Sequence, residues 1–402
     1  MAGPTTYSTF SAVTPHFNAL ARVGYFKMVM KNPSPTQLML HNCYRWLIWF
    51  SILSYNIQQL IRVIQTRHST DEMVDTLFIL LTTFNTLGKH VAFNARVWRI
   101  DRIIKVINGS IFAAKNPKHV DIMKLNEKAM ARLLYFFQGM VLTGCVMHAT
   151  YPMINRALGH DEISSCFSSS ESSGSLSTQI ATWYLSISLT IQAYGNSTMD
   201  CTISGFYAMA KVQLQVLRYN LEHLVDSEDE QEDIDTNDVN KGKLRYKDNT
   251  VIQSRLVHCV KHQLQIKWFV KEVESIFCEA MTVQFLIMAF VICMTVYKIV
   301  GLTVSSAEFW MVFVYLNCML AQLFIYCYFG TQVKYESEFV AQSAYCGAWT
   351  RLSPAFRRQL GILMQCARPI VPCAAKIVPV SLETYIAVLR ASYTLFTILD
   401  KQ

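Results

Sequence analysis

The sequence predicts an all-α membrane protein of seven transmembrane helices, with a cytoplasmic N-terminus and an extracellular C-terminus. Three observations carry this. The chain is 52% hydrophobic and 16% charged, with mean hydropathy +0.24, whereas soluble domains carry about 25% charged residues. Its apolar residues gather in runs of about 20 or more, the length that crosses a bilayer as a helix. Lys and Arg concentrate in alternate connections, which the positive-inside rule assigns to the cytoplasm.

Residues 1–41 form a cytoplasmic segment with Arg22, Lys27 and Lys31 and no acid. Residues 42–203 hold spans one to four, at 42–61, 73–93, 129–154 and 178–203. The outside loops carry Asp71, Glu72 and Asp75, then a Ser-rich stretch at 155–177. Between spans two and three lies a basic block that includes Arg96, Arg99, Arg102, Lys105, Lys115, Lys118 and Lys124. Residues 204–275 are cytoplasmic helical extensions. Leu214, Leu217, Leu221 and Leu224 step at 3, 4 and 3, and Ile252, Leu256, Val260 and Leu264 step at 4, two amphipathic helices. An acidic polar run between them, DSEDEQEDIDTNDVNKGK, reads as a mobile loop, and the two helices are expected to pack as a soluble collar. Residues 276–330 hold spans five (276–300) and six (304–329). Residues 331–376 form a mostly polar, punctuated cytoplasmic segment, and 377–402 a last helix with span seven at 377–399.

Several classes are disfavoured, with a G-protein-coupled receptor kept as a lesser alternative and a transporter or membrane enzyme behind it. The net charge of +8 sits beside apolar runs, as topology requires, so it does not point to nucleic acid. No apolar core between a basic start and a small-residue cut site appears in residues 1–40, so no cleavable signal peptide is expected. Most of the 12 cysteines, such as Cys43, Cys145, Cys201, Cys293, Cys318 and Cys327, lie inside apolar runs; only Cys166 falls in an outside loop. A G-protein-coupled receptor would have the reverse orientation, and the seventh span lacks Asn-Pro-x-x-Tyr. No internal repeat marks a transporter, and no P-loop or nucleophile–base pair marks an enzyme, so neither catalytic residues nor cofactors are expected. His258 and His262, at i and i+4 on a helix read as water-facing, have no third metal ligand nearby. The sequons at Asn108 and Asn196 fall in the cytoplasm and within a span.

The C-terminal stretch carries a specific pattern: Gly330, Glu336, Ser337, Ala344, Tyr345 and Trp349 in GTQVKYESEFVAQSAYCGAW, then Pro369, Ala375 and Lys376, then Ser381, Glu383, Tyr393 and Leu399 in SLETYIAVLRASYTLFTIL. On these residues the chain resembles the insect odorant receptor family. The resemblance implies a subunit of a tetrameric, ligand-gated, non-selective cation channel in the plasma membrane of sensory neuron dendrites. It implies a heterotetramer with the family's co-receptor and a small volatile odorant as ligand. Residues 331–376 and the collar would form the family's cytoplasmic anchor. The insert between spans four and five is shorter than the co-receptor's, and the chain ends LDKQ in place of a Val-Leu-Val-Gln-Leu-Lys-like tail. It therefore resembles an odorant-specific tuning subunit. A gustatory-type channel of the same architecture is the nearest alternative, which the C-terminal residues disfavour.

Two candidate sites follow. On the last helix Glu383, Arg390, Thr394, Ile398 and Lys401 share one broad face. That face suits a polar path narrowed by Leu395, Ile398 or Leu399, since an apolar ring gates by dewetting. By resemblance Ile398 aligns with the family's gate valine, and Lys401 replaces a glutamine of the co-receptor. The alternative is that Glu383 and Arg390 form an interhelical ion pair that braces the bundle. A volatile ligand needs a mostly apolar enclosure. The outer halves of spans two to five supply Leu77, Leu81 and Phe84; Val141, Gly144, His148 and Tyr151; Trp183, Ile187 and Ile191; and Phe285 and Met288. Gly144 leaves room and His148 offers a hydrogen bond. Ordinary helix packing is the competing reading for each.

Overall fold

The structure, a computed structural model, describes residues 7–28, 34–66, 70–157, 176–225, 241–304, 306–374 and 378–399. Ten α-helices are described: α1 (Thr14–Arg22), α2 (Pro35–Gln65), α3 (Thr70–Ala95), α4 (Val97–Ile107), α5 (Pro117–Ala157), α6 (Leu176–Glu222), α7 (Lys241–Val300), α8 (Ala307–Cys346), α9 (Pro354–Cys366) and α10 (Leu382–Leu399). Short 3-10 turns at Thr9–Ala12 and Trp349–Arg351 and a two-residue ladder of β1 (Cys373–Ala374) with β2 (Val378–Pro379) complete it.

The bundle is arranged for lipid. In α2 the capping box of Ser34 and Gln37 starts the helix. Its exposed face is Trp46, Leu47, Phe50, Leu53 and Ile57, while Asn56 and Gln59 are buried. Polar groups inside and large apolar groups outside are the reverse of a water-facing helix. Four helical segments are apolar and long enough to cross a bilayer on their own composition: Pro35–Gln65, Pro117–Met147, Thr250–Val300 and Glu308–Cys346.

The spans are parts of longer helices. Helices α6, α7 and α8 run 47, 60 and 40 residues, so no break falls at 203/204, 275/276 or after Gly330. The polar segment expected from residue 331 is helical as far as Cys346, because nothing there interrupts the backbone ladder. Gly330 lies inside α8 for another reason: a Cβ on it would meet the Val380 carbonyl oxygen at 2.0 Å. The last helix starts later than its apolar run. Val380 N–H donates to the Pro372 carbonyl at 2.8 Å, and Ser381 Oγ accepts from Thr384 N–H, so residues 378–381 form a strand and a cap before Leu382.

The N-terminal segment is part of the core. Val13, Phe17, Leu20 and Phe26 are fully buried, with Phe17 against Phe206 of α6. Basic residues 97–107 form amphipathic α4, which buries Ile100, Ile103 and Ile107.

The collar forms where α6 and α7 leave the bundle. Leu214, Leu217, Leu221 and Leu224 join one core with Ile252 and Leu256, but Leu264 is exposed. His262 is not water-facing. It is buried and its Nε2 donates to Gln213 Oε1 at 2.8 Å, while Gln213 Nε2 donates to Thr9 Oγ1 at 2.6 Å and to the Phe112 carbonyl at 3.2 Å. The stepping that put His258 and Leu264 on definite faces assumed one partner for α7; here α6, the N-terminal turn and the α4–α5 connection all pack on it. Arg218 of α6 pairs with Glu336 of α8, which also accepts from Gln215 Nε2 at 2.6 Å. Ser337 Oγ accepts from the Ile370 N–H at 2.8 Å and ties the segment after α9 to α8.

Candidate ligand cavity and last helix

Helices α3, α5, α6, α7 and α8 line a half-open cavity of about 220 Å³. The walls are mostly apolar, with Phe78, Ile79, Val141, Leu189, Val312 and Met319 among them. Its volume lies below the roughly 300–1,000 Å³ typical of drug-sized ligands. A compact molecule of few heavy atoms fits that space.

One end of the cavity is bounded by an ion pair between α7 and α8, Lys298 Nζ to Glu308 Oε1 at 2.9 Å. The loop that follows Lys298 is the expected outside connection between spans five and six. Toward the other end the lining includes Thr86, Asn196 and Gln322. One turn beyond them, on the same three helices, lie Lys89, Asp200 and Tyr326. Lys89 Nζ is 2.5 Å from Asp200 Oδ1, and the Tyr326 hydroxyl donates to the same oxygen at 2.6 Å. Lys89 and Asp200 are 1% and 0% exposed. A buried pair of this kind costs desolvation and ties the three helices to one relative position.

The structure gathers only some of the residues read as a pocket. Val141 and Gly144 line the cavity, and a Cβ on Gly144 would meet only Val314, at 3.7 Å. Leu81 and Ile191 are half-buried against the main core but do not reach the cavity. Phe285 and Met288 are buried in that core but do not line the cavity, which α7 borders with Thr295 and Lys298, further toward its C-terminal end. Phe84, Trp183 and Ile187 point outward, each more than half exposed. On a membrane helix the lipid face is as apolar as a ligand face, so hydropathy cannot separate them. The side chains of His148 and Tyr151 lie outside the described residues. What the sequence reading missed is polar: Gln192, Asn196, Gln322, Tyr315 and the threonines of α3. The available signal was the presence of amides inside apolar runs, since such groups face the bundle interior.

Helix α10 packs on α7 and α8. Tyr385 sets its ring edge against Phe324, and Ser392 Oγ donates to the Ala289 carbonyl at 3.1 Å. The opposite face, with Glu383, Ile386, Ala387, Arg390 and Thr394, is exposed on the single chain. Among the described residues no ion pair joins Glu383 to Arg390. The side chains of Leu395, Ile398 and Leu399, and all of Lys401, lie outside the described residues.

Comparison with known proteins agrees with this architecture. The chain is 20% identical to "Odorant receptor 46a, isoform A" of Drosophila melanogaster over 322 residues, covering 80% of each chain. It is 21% identical to "Odorant receptor Or1" of Anopheles gambiae over 342 residues, 82% of this chain and 81% of the other. The fold superposes on the insect olfactory receptor OR5 from Machilis hrabei, determined in complex with eugenol, with TM-score 0.81 at 12% identity over 97% of both chains. The family model described as "7tm Odorant receptor" matches residues 69–393, well over half the chain. This multi-pass, seven-helix membrane protein belongs to the insect odorant receptor family.

Proposed function

We propose that this chain is the odorant-specific subunit of a ligand-gated, non-selective cation channel. It assembles with the family's co-receptor as a heterotetramer in the plasma membrane of sensory neuron dendrites. The observation that carries the reading is the pairing of two features in one bundle. A small, mostly apolar cavity lies between α3, α5, α6, α7 and α8, and a final helix offers an exposed face with Glu383, Arg390 and Thr394. A volatile ligand that binds the cavity more tightly in the open state shifts the equilibrium by that difference in affinity. Helices α7 and α8 both line the cavity and both support α10, so they are the path by which the shift reaches the last helix. The Leu395, Ile398 and Leu399 ring is the proposed constriction, and Val141, Gly144 and His148 belong to the proposed ligand wall.

The test is whole-cell current during an odorant panel, with this chain expressed alone and then with an insect co-receptor, G-protein signalling being blocked in both. Ligand-evoked cation current from the pair only supports the tuning-subunit reading. Current from this chain alone would mean a self-sufficient channel. No current from either, with both at the surface, would overturn the channel reading.

A further inference from the structure

Most hydrogen-bonding groups around the cavity are already engaged within the protein. The hydroxyls of Thr82, Thr83, Thr86 and Thr295 donate to carbonyls of Phe78, Ile79, Thr82 and Val291, one turn earlier in their own helices. Tyr315 Oη lies 3.2 Å from Thr82 Oγ1; because the threonine proton is used on Phe78, the phenol is the donor. Lys298 and Glu308 neutralise each other. A ligand carrying a full charge therefore meets no unpaired counter-charge among the described cavity residues.

Three amides differ. Gln192 Oε1 accepts from Asn56 Nδ2 at 3.2 Å, and Asn56 Nδ2 is held in turn by the Ile52 carbonyl at 2.8 Å. This fixes the Gln192 amide with its Nε2 buried and unbonded. Asn196 Oδ1 and Gln322 Oε1 are also buried without a partner. The three residues are 1%, 4% and 2% exposed, and all line the cavity, two from α6 and one from α8. Leaving a buried polar atom unpaired is expensive, so a molecule in the cavity is favoured by each pairing it makes with the Gln192 donor and with the Asn196 and Gln322 acceptors. Water is one filler of this kind, since it both donates and accepts. Among neutral organic groups a hydroxyl both donates and accepts, so it meets Gln192 Nε2 and one of the two oxygens at once. An aldehyde, ester or ether only accepts, so it leaves the Asn196 and Gln322 oxygens unmet, and a hydrocarbon makes none of these bonds.

We propose that this cavity selects neutral alcohols and phenols, with the hydroxyl on the Gln192–Asn196–Gln322 amides and the carbon body against Phe78, Val141, Leu189 and Val312. The proposal rests on the channel reading above and names the ligand class of that same cavity.

The test uses the full chain with an insect co-receptor and matched sets of odorants. One set is benzyl alcohol, benzaldehyde, benzyl methyl ether and ethylbenzene; the other is octanol, octanal and nonane; a panel of further alcohols accompanies the hydrocarbons of their own skeletons. The expected result is that alcohols give the lowest half-maximal concentrations. The advantage over the hydrocarbon of like size is roughly 3- to 10-fold, the worth of one net hydrogen bond. In Gln192→Met and, separately, Gln322→Met, each with surface expression measured, that ratio shrinks while hydrocarbon responses stay or rise. Hydrocarbons, aldehydes or the ether matching or exceeding alcohols on the unmodified protein would overturn the proposal and leave the channel reading standing, as would an unchanged ranking in both variants. No current from any compound, with both subunits at the surface, would overturn both.

Discussion

Lys89 and Asp200 show what a single residue decides in this bundle. Each is fully enclosed and each is neutralised by the other at 2.5 Å, with Tyr326 donating to the same carboxylate. Removing one partner of a buried pair strands the other charge, which costs about 3–5 kcal/mol. Lys89→Met is therefore expected to lower the melting temperature in detergent and to reduce surface expression sharply. Lys89→Met combined with Asp200→Asn removes both charges, keeps an acceptor for Tyr326, and is expected to recover most of the loss; equal destabilisation of the single and double variants would show that the charges are not what matters. Gly330 acts by size. Any Cβ there would sit 2.0 Å from the Val380 carbonyl oxygen, a backbone atom that cannot rotate away. Gly330→Ala is expected to part the inner end of α10 from α8, at about 1–3 kcal/mol. Gly361→Ala, on a helix position with nothing within 4 Å, is expected to be neutral or slightly stabilising by the same thermal assay. Gly330, Glu336, Ser337 and Ser381 were visible in the sequence only as a family pattern. Their physical work is close approach, an ion pair with Arg218, a tie to Ile370 and a helix cap.

At the scale of elements the collar depends on His262. Its Nε2–H reaches Gln213, which in turn donates to Thr9 and to the Phe112 carbonyl, so α6, α7, the N-terminal turn and the α4–α5 connection meet at one side chain. Its other ring nitrogen, Nδ1, is buried and unbonded. Burial first, then the neighbouring His258, His119 and Lys115, hold its pKa down at about 3. An unfolded histidine titrates near about 6.5. The folded state thus binds fewer protons in between, and stability is full above about pH 6.5 and falls as pH drops towards 3. The slope due to this group is about 1.4 kcal/mol per pH unit. His262→Gln keeps a donor for Gln213 and cannot titrate. It is expected to flatten the fall in melting temperature between pH 7 and 5, and an unchanged slope would assign that acid sensitivity to other groups such as His16. Periodicity revealed that two amphipathic helices exist here. It could not reveal that α7 is surrounded on several sides, which is why His262 read as water-facing and Leu264 as buried when the reverse holds.

Across the whole molecule the helical, seven-span membrane class was legible because a bilayer demands long apolar runs. The lipid face and the ligand face were not, because both are apolar; Trp183 and Ile187 cover the outside while Gln192 and Asn196, on the same helix, border the cavity. The last helix poses the same question of what lies against it. Its packed side, with Tyr385 and Ser392, is accounted for by α8 and α7. Its other side carries Glu383, Arg390 and Thr394, exposed on the single chain. Holding an arginine or an acid against hydrocarbon near mid-bilayer costs about 2.5–3.5 kcal/mol on insertion scales. A face with both is better served by water and by other subunits, as the proposed channel requires. Thr394→Cys, expressed with the co-receptor, is therefore expected to react with a charged, membrane-impermeant thiol reagent applied from outside and to do so faster while odorant is present. The readout is the irreversible change in current, compared with the unmodified pair, whose native cysteines set the background. Reaction at one rate with and without odorant would leave α10 in water but remove the constriction outside Thr394. Absence of reaction in both conditions, with normal odorant currents, would place this face against lipid or protein and take α10 out of the conduction path.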